Sequence, residues 1–368
     1  MKVDRRTFVW FAAGPTSNKG NVDFPVDESR SASVVKYLPS IWNARRAWMK
    51  YFVTGATGFI GGRVVRQLIE AGHKVIAVVR NPSRAPDLRK LGVDVRPGDV
   101  AVAESLWAPM TGVDGVFHIA GWYKIGTKDR EEGERVNVLG TRNVLTTMRE
   151  LRIPKGVYTS TLAVFSDTHG QLVDETYRHD GKGPWLTEYD RTKWVAHYEV
   201  AEPMIREGLP LVIVQPGLNY GPGDTSEVRP TLVRYLRRRL FALPKETAYC
   251  WAHVDGTARG HLLAMEKGVP GESYILAGPR HSLIEAFQIA ERITGIPVPR
   301  IQISPRFLRG IARLTRSERL RDLAGITYLG SNEKARRTLG FNPRPLEVGL
   351  RETLAHEMGL LGMPMPAR

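Results

Sequence analysis

The sequence predicts an α/β protein: a doubly wound parallel sheet followed by a smaller C-terminal domain. Three observations predict it. A short apolar run, three glycines at fixed spacing and an apolar-periodic stretch follow one another within residues 51–69. Apolar, β-branched runs then recur at 75–79, 93–95, 116–119, 156–159 and 211–215, which is how buried parallel strands read. From residue 216 the pattern changes to loops, helices and many arginines.

Tyr51-Phe-Val53 reads as the first strand, and Ile60, Val64, Val65, Leu68 and Ile69 mark one face of the helix after it. Between them lie Gly55, Gly58 and Gly61, spaced G-x-x-G-x-x-G. Gly55 permits a tight turn, Gly58 lets the backbone approach a pyrophosphate, and Gly61 lets the helix lie on the strand. Free N–H groups at the helix start, with Thr57, Phe59 and Ile60 beside them, would face the phosphates. The bland alternative is a glycine-rich loop that binds nothing.

With 368 residues the chain can hold about two domains. Its 42% hydrophobic content suits a globular protein. No run reaches the ~18 apolar residues of a membrane span. Cys250 is the single cysteine, which excludes an intramolecular disulfide and a cysteine-based zinc site, and no metal site is expected. A cytoplasmic setting is the expectation. The net charge is +15, yet no zinc finger, RNP-like motif or lysine-rich tail is present. We read the charge as a solvated basic surface that attracts anionic small molecules, and expect no nucleic-acid partner. Arg234, Arg237, Arg238 and Arg239 read as one helix face.

Residues 1–48 read as an extension outside the fold, loosely ordered or not native. Arg5-Arg6-Thr7-Phe8 and the apolar residues after it superficially resemble a twin-arginine export signal, but Gly14-Pro15 cuts the stretch short. Met49-Lys50 stands directly before the first strand, so Met49 is a candidate native start.

The strand at 75–79 ends where an NAD-binding protein places an acid against the ribose 2′-hydroxyl. Here Val79 and Arg80 hold that place and Arg84 follows. Guanidinium groups bind a phosphate through paired donors. The expected cofactor is therefore NADP(H), preferred over NAD(H); the alternative is two exposed loop charges. Asp99 can accept from an adenine amino group, cap the next helix, or both, and Val100 can pack on the ring. Val116-Phe-His-Ile-Ala120-Gly121 runs into a small-residue turn that lets a cofactor pass. His118 reads as a packed core histidine. Trp122 and Tyr123 fall at the strand's carboxyl end, where open α/β sheets place ligands. A helix begins at Val136-Asn137.

Residues 156–161 form a strand ending in hydroxyl residues, and Tyr189-Asp-Arg-Thr-Lys193 comes some thirty residues later. Tyr189 and Lys193 share a helix face at i, i+4. A free phenol has a pKa of about 10, and a nearby ammonium lowers it into a useful range. Lys193 can also hold a nicotinamide ribose, and Thr161 can hold a substrate oxygen beside Tyr189.

With these residues in view, the chain resembles the extended short-chain dehydrogenases/reductases, of the NAD-dependent epimerase/dehydratase type. The resemblance runs over residues 49–358 and is nearest the dihydroflavonol-reductase-like and hopanoid-associated sugar-epimerase-like members. It rests on Thr54-Gly-Ala-Thr-Gly-Phe-Ile-Gly61, Asp99-Val100, Val136-Asn137, Tyr158-Thr-Ser-Thr161, Tyr189 with Lys193, Gln215-Pro216-Gly217, Tyr220-Gly-Pro-Gly-Asp224 and Trp251-Ala-His-Val-Asp255. The resemblance implies a Rossmann-type first domain, Tyr189 as general acid/base, Lys193 as its modulator and ribose anchor, and Thr161 as substrate-oxygen donor. Ser160 is the fallback hydroxyl, Asn137 orders the site, and Pro216 lies among the cofactor contacts. Dimeric family members set the expectation of a homodimer. No acidic pair follows Thr161, which argues against sugar-nucleotide dehydration.

The expected layout is a dinucleotide-binding domain at 49–215, rejoined by about 251–268, with substrate binding at 216–250 and 269–368. Helices are expected at 257–267, 283–294, 332–339 and 345–358. Trp122, Tyr123, Trp185, Leu186 and Trp251 are candidate pocket residues, and Arg229 and Arg234 candidate phosphate contacts. The expected activity is reduction of a carbonyl, or oxidation of a secondary alcohol, on a small-molecule substrate. A nucleotide-sugar epimerase with a retained cofactor and a non-enzymatic dinucleotide sensor are the alternatives.

Overall fold

The computed structural model describes residues 48–124, 130–182, 185–317, 320–321 and 323–364. The expectations for residues 1–47 lie outside them.

The strands are β1 (Lys50–Thr54), β2 (Lys74–Val79), β3 (Asp94–Pro97), β4 (Gly115–His118), β5 (Gly156–Thr159), β6 (Leu211–Pro216), β7 (Leu218–Tyr220), β8 (Ala242–Pro244), β9 (Ala248–His253), β10 (Ser273–Leu276), β11 (Arg280–Ser282), β12 (Ile301–Ile303) and β13 (Thr327–Tyr328). Seven of them form one sheet in the order β10-β6-β5-β4-β1-β2-β3. Every pairing in it is parallel. The chain winds outward from β1 in one direction and from β4 in the other. The switch point between β1 and β4 therefore opens a crevice at their carboxyl ends.

The period of two along a strand decides which core each residue joins. On β1, Tyr51 and Val53 face the helices Phe59–Glu70, Val254–Lys267 and Glu333–Leu339. Phe52 faces the opposite layer, with Leu106, Met110, Val144, Leu145 and Met148. Coverage of both faces is why these strands read as continuous apolar runs.

Helix Phe59–Glu70 buries Gly61, Val64, Val65 and Leu68. At Gly61 an added Cβ would lie 2.1 Å from the Gly55 carbonyl oxygen, so any side chain would push the helix off the strand. Gly55 has φ +71°, and a Cβ there would meet the Ala120 amide nitrogen at 2.6 Å.

The remaining strands build small sheets: β9 lies between β11 and β13 and also pairs with β7, while β8 pairs with β12. Tyr220, Leu232, Tyr235, Trp251, Phe287 and Leu350 share their core. Helix Leu283–Thr294 matches its expected span and carries a Ser282/Glu285 capping box.

Three expectations need correction. The helix expected from Val136 begins at Arg130 and passes through a widened π turn, Glu134–Leu139, before Gly140–Glu150. Asp99 caps no helix: the next helix is Glu104–Met110, and the Asp99 carboxylate accepts from the Ala101 amide at 3.0 Å instead. The arginine run is not one helix face. Helix Val228–Leu236 stops before Arg237, and Arg238 has φ +55°. Among the described residues no helix is long and apolar enough to cross a membrane.

Candidate active site

A cavity of roughly 1170 Å³ begins at the switch point and runs into the smaller sheets. Gly55, Thr57, Gly58, Phe59, Ile60 and Gly61 line its start, with Arg80, Arg84, Asp99, Val100 and Ala120. Thr161, Tyr189, Lys193 and Pro216 line it further on. No side chain caps helix Phe59–Glu70, and its first turn holds no acid, so its leading amides remain suited to an anion. The turn is also too tight for side chains, as the Gly55 contacts show. The residues fit a dinucleotide on these grounds.

Tyr189 and Lys193 lie on helix Glu188–Trp194, whose start is capped by Thr187. Tyr189 is half-buried, with the Thr161 side chain close to its hydroxyl. Burial pushes the Tyr189 phenol up to about 12; Thr161 opposes this and the nearby Asp190 charge adds to it. Thr161 also accepts from the Ala163 amide at 3.2 Å and so opens the short 3₁₀ helix Leu162–Phe165. The fallback Ser160 is taken: its hydroxyl lies 2.7 Å from Nδ1 of buried His197.

Lys193 does not bond Tyr189 directly. Its Nζ donates to the Thr159 carbonyl at 2.7 Å and to the Tyr158 hydroxyl at 3.1 Å. Burial drags the ammonium down to about 7. Tyr158 is the residue that sequence reasoning missed. It is fully buried, and its ring stacks on His118 at 5.5 Å.

The protons behind Lys193 can be assigned by counting donors and acceptors. The Thr54 hydroxyl accepts the Ile119 and Ala120 amides, both at 3.1 Å. Its one proton must therefore go to Nδ1 of His118, 2.8 Å away. His118 then carries its proton on Nε2 and donates to Thr141 at 3.0 Å. Burial, then the Lys193 charge, lowers His118 to about 3, which agrees with a neutral ring. Thr141 gives its own proton to the Asn137 carbonyl at 2.6 Å. The Tyr158 hydroxyl accepts from Lys193 at 3.1 Å. Buried hydrogen bonds thus run from the strand that ends in the glycine turn through His118 to Thr141, and the His118 ring stacks on the tyrosine that Lys193 holds.

Asn137 is fully buried in the widened turn. It accepts from the Trp122 amide at 2.7 Å, and donates to the Trp122 carbonyl at 3.0 Å and to Thr192 at 2.9 Å. It fastens the loop after β4 to the helix that carries Tyr189 and Lys193. Tyr123 meets the Tyr189 ring edge-on at 4.9 Å.

At the other end, Arg80 lies 3.4 Å from Glu132, and Arg84 is exposed. Glu132 is held by Arg135 at 2.6 Å, and Arg135 also reaches Asp99 at 2.8 Å. Burial works to raise the Asp99 carboxyl, but the Ala101 amide and Arg135 hold it below the usual range. Val100 is buried and packs against Gly140, where a Cβ would approach it to 2.7 Å.

Two pocket candidates lie elsewhere. Trp185 packs on His179 and Trp194, and neither it nor Leu186 lines the cavity. Trp122, Tyr123 and Trp251 do line it. Arg229 is bonded to Glu357 at 2.8 Å and lies off the cavity, whereas Arg234 lines it.

A sequence model of the NAD dependent epimerase/dehydratase family matches residues 51–277. A putative dihydroflavonol 4-reductase of Synechocystis sp. is 37% identical over 260 residues, 68% of this chain and 74% of that protein. A 4-hydroxy-2-methyl-3-oxo-4-farnesyl-3,4-dihydroquinoline-1-oxide ketoreductase of Stigmatella aurantiaca is 30% identical, covering 85% of this chain and 95% of its own. The crystal structure of gox2253 superposes with a TM-score of 0.77 at 29% identity, covering 85% of this chain and 99% of that one. With this fold, this cavity and these relatives, the chain belongs to the NAD-dependent epimerase/dehydratase family of extended short-chain dehydrogenases/reductases, and is a nicotinamide-dependent oxidoreductase acting on CH–OH or C=O groups.

Proposed function

We propose that the chain is an NADP(H)-dependent carbonyl reductase, able to run in reverse on a secondary alcohol, with Tyr189 as proton donor. The observation that carries this reading is that Tyr189, Thr161 and Lys193 line one cavity with the glycine turn. Residues 49–215, rejoined by 251–268, hold the dinucleotide; residues 216–250 and 269–368 hold the substrate. Arg80 and Arg84 meet the 2′-phosphate.

The cofactor, when bound, supplies hydride to the carbonyl carbon. The chain supplies the rest. A phenol pushed up to about 12 is fully protonated at neutral pH, the form that can give a proton. Thr161 and Tyr189 together hold the carbonyl oxygen, and the phenol proton passes to it as negative charge develops there. Lys193 directs two of its three donors to Thr159 and Tyr158, which fixes its position, and its third serves the ribose. Its positive charge stabilises the phenolate left after transfer. Asn137 keeps the helix and the Trp122 loop in register.

Tyr189→Phe is the test. Loss of a general acid lowers turnover by about 10²–10⁴-fold. NADPH binding, read by fluorescence titration, stays within about twofold. Unchanged turnover in Tyr189→Phe would remove the mechanism. Substrate isomerised without net NADPH oxidation would show an epimerase instead.

A further inference from the structure

We infer that the second arm of the cavity is shaped for a bulky apolar ketone, polycyclic or long-chain; the inference names the substrate class of the reductase proposed above and rests on that reading. Past Tyr189 the cavity runs between helices Val228–Leu236 and Leu283–Thr294 and strands β8 and β9. Leu232, Leu240, Leu243, Trp251, Phe287 and Leu323 line this stretch. Leu232, Leu243, Trp251 and Phe287 are also members of the packed core of the smaller sheets, each at most 3% exposed. One wall of the arm is therefore cut from a hydrophobic core, while Ser226, Thr231 and Arg234 also line the cavity on or beside helix Val228–Leu236. Such an apolar wall gains most from an apolar occupant.

The arm is anchored to the chemistry. The Tyr328 hydroxyl donates to the carboxylate of Asp190, the neighbour of Tyr189, at 3.0 Å. The Tyr328 ring is parallel to Tyr249, at 6.0 Å and 8°. A carbonyl held by Tyr189 and Thr161 would thus have its body against this aromatic wall.

Charge argues the same way. A sugar nucleotide brings a diphosphate, which calls for converging cationic donors. Outside the Arg80 end, the cations lining the cavity among the described residues are Lys124, Lys193 and Arg234. Lys193 already donates to Thr159 and Tyr158, and the other two are exposed. Arg229, the neighbouring arginine on the same helix, is taken by Glu357.

The experiment measures NADPH oxidation across a series of methyl alkyl ketones of increasing length, with one tetracyclic ketone and UDP-glucose alongside. Binding of the same compounds is read separately, without NADPH, by quenching of tryptophan emission and by thermal shift. Each added methylene should raise kcat/KM about three- to fourfold until the arm is filled. Binding should tighten in parallel, and UDP-glucose should give no quench. Ketones turned over with no dependence on length in either readout would overturn the inference and leave the reductase reading intact. Binding that grows with length, with no ketone reduced, would remove the reductase reading and keep the apolar arm. Tight UDP-glucose binding beside length-independent ketone binding would overturn the arm directly. Ala242 also lines this stretch, and Ala242→Trp should abolish the length dependence in both readouts. Persistence of that dependence in Ala242→Trp would put the ketones elsewhere and defeat the inference.

Discussion

The two ends of the cavity are built from opposite materials. Behind Lys193, Thr54, His118, Thr141 and Tyr158 are all at most 1% exposed, and the protons of Thr54, His118 and Thr141 each have one possible place. Around Arg80 the contacts are ion pairs: Arg80 to Glu132, Glu132 to Arg135, Arg135 to Asp99. The Arg80 side chain is 71% exposed. Removing one partner from a buried chain leaves a donor or acceptor stranded, at about 1–3 kcal/mol for each. An exposed ion pair contributes about 0–1 kcal/mol and is screened by salt. The Lys193 end is therefore costly to change. The Arg80 end can be retuned at little cost to the fold.

Lys193→Met should break the comparison most severely. Turnover should fall by about 10²-fold or more, since the phenolate loses its cationic neighbour. Its effect on stability should depend on pH. An ordinary lysine titrates near 10.5, and burial brings Lys193 down to about 7. Below pH 7 the folded and unfolded chains are both protonated, and the full cost of burying the charge is present. Between about 7 and 10.5 the unfolded chain binds the extra proton, so stability rises with pH. Lys193→Met lacks this rise. Relative to the wild type, Lys193→Met should lose up to about 5 kcal/mol between pH 6 and pH 10, on top of a pH-independent cost for the stranded Thr159 carbonyl and Tyr158 hydroxyl. Urea unfolding of both proteins across that range measures it; parallel pH curves would show that the lysine is not desolvated.

His118→Phe sharpens the same contrast without touching a reacting group. The ring keeps its stack on Tyr158 but strands the Thr54 proton and a lone pair of Thr141. We expect about 2–4 kcal/mol less stability in urea unfolding. Dinucleotide binding should weaken as well, because Thr54 also orders the Ile119 and Ala120 amides. Stability within about 0.5 kcal/mol of wild type would refute the proton assignment.

What the sequence made legible divides along a similar line. Glycine spacing and β-branched runs report on the backbone, and they located the strands of the large sheet. The Tyr189–Lys193 spacing placed both residues on one helix, which the structure also shows. Tyr158 was invisible because a tyrosine in a buried strand looks like core; its hydroxyl matters only through Lys193, 35 residues away. The smaller sheets were missed because β7, β8, β11, β12 and β13 are two or three residues long, too short for any period to show. The arginine run misled because nothing in it marks the helix end: the stop is a positive φ at Arg238, a position where glycine would have been the signal.

The smallest effect lies at the exposed end. Glu132 sits on the cavity wall beside Arg80, and the Arg135 bond, with the Arg135 and Arg80 charges, holds its carboxyl below the usual range. That carboxylate competes with any phosphate for Arg80. Glu132→Gln keeps an acceptor for Arg135 while removing the charge. NADPH should then bind about threefold more tightly relative to NADH, and the gain should fade as salt rises. Titrating both cofactors at low and high ionic strength checks it. An equal gain for NADH would mean that Glu132 repels the dinucleotide as a whole, and that Arg80 has no particular business with a 2′-phosphate.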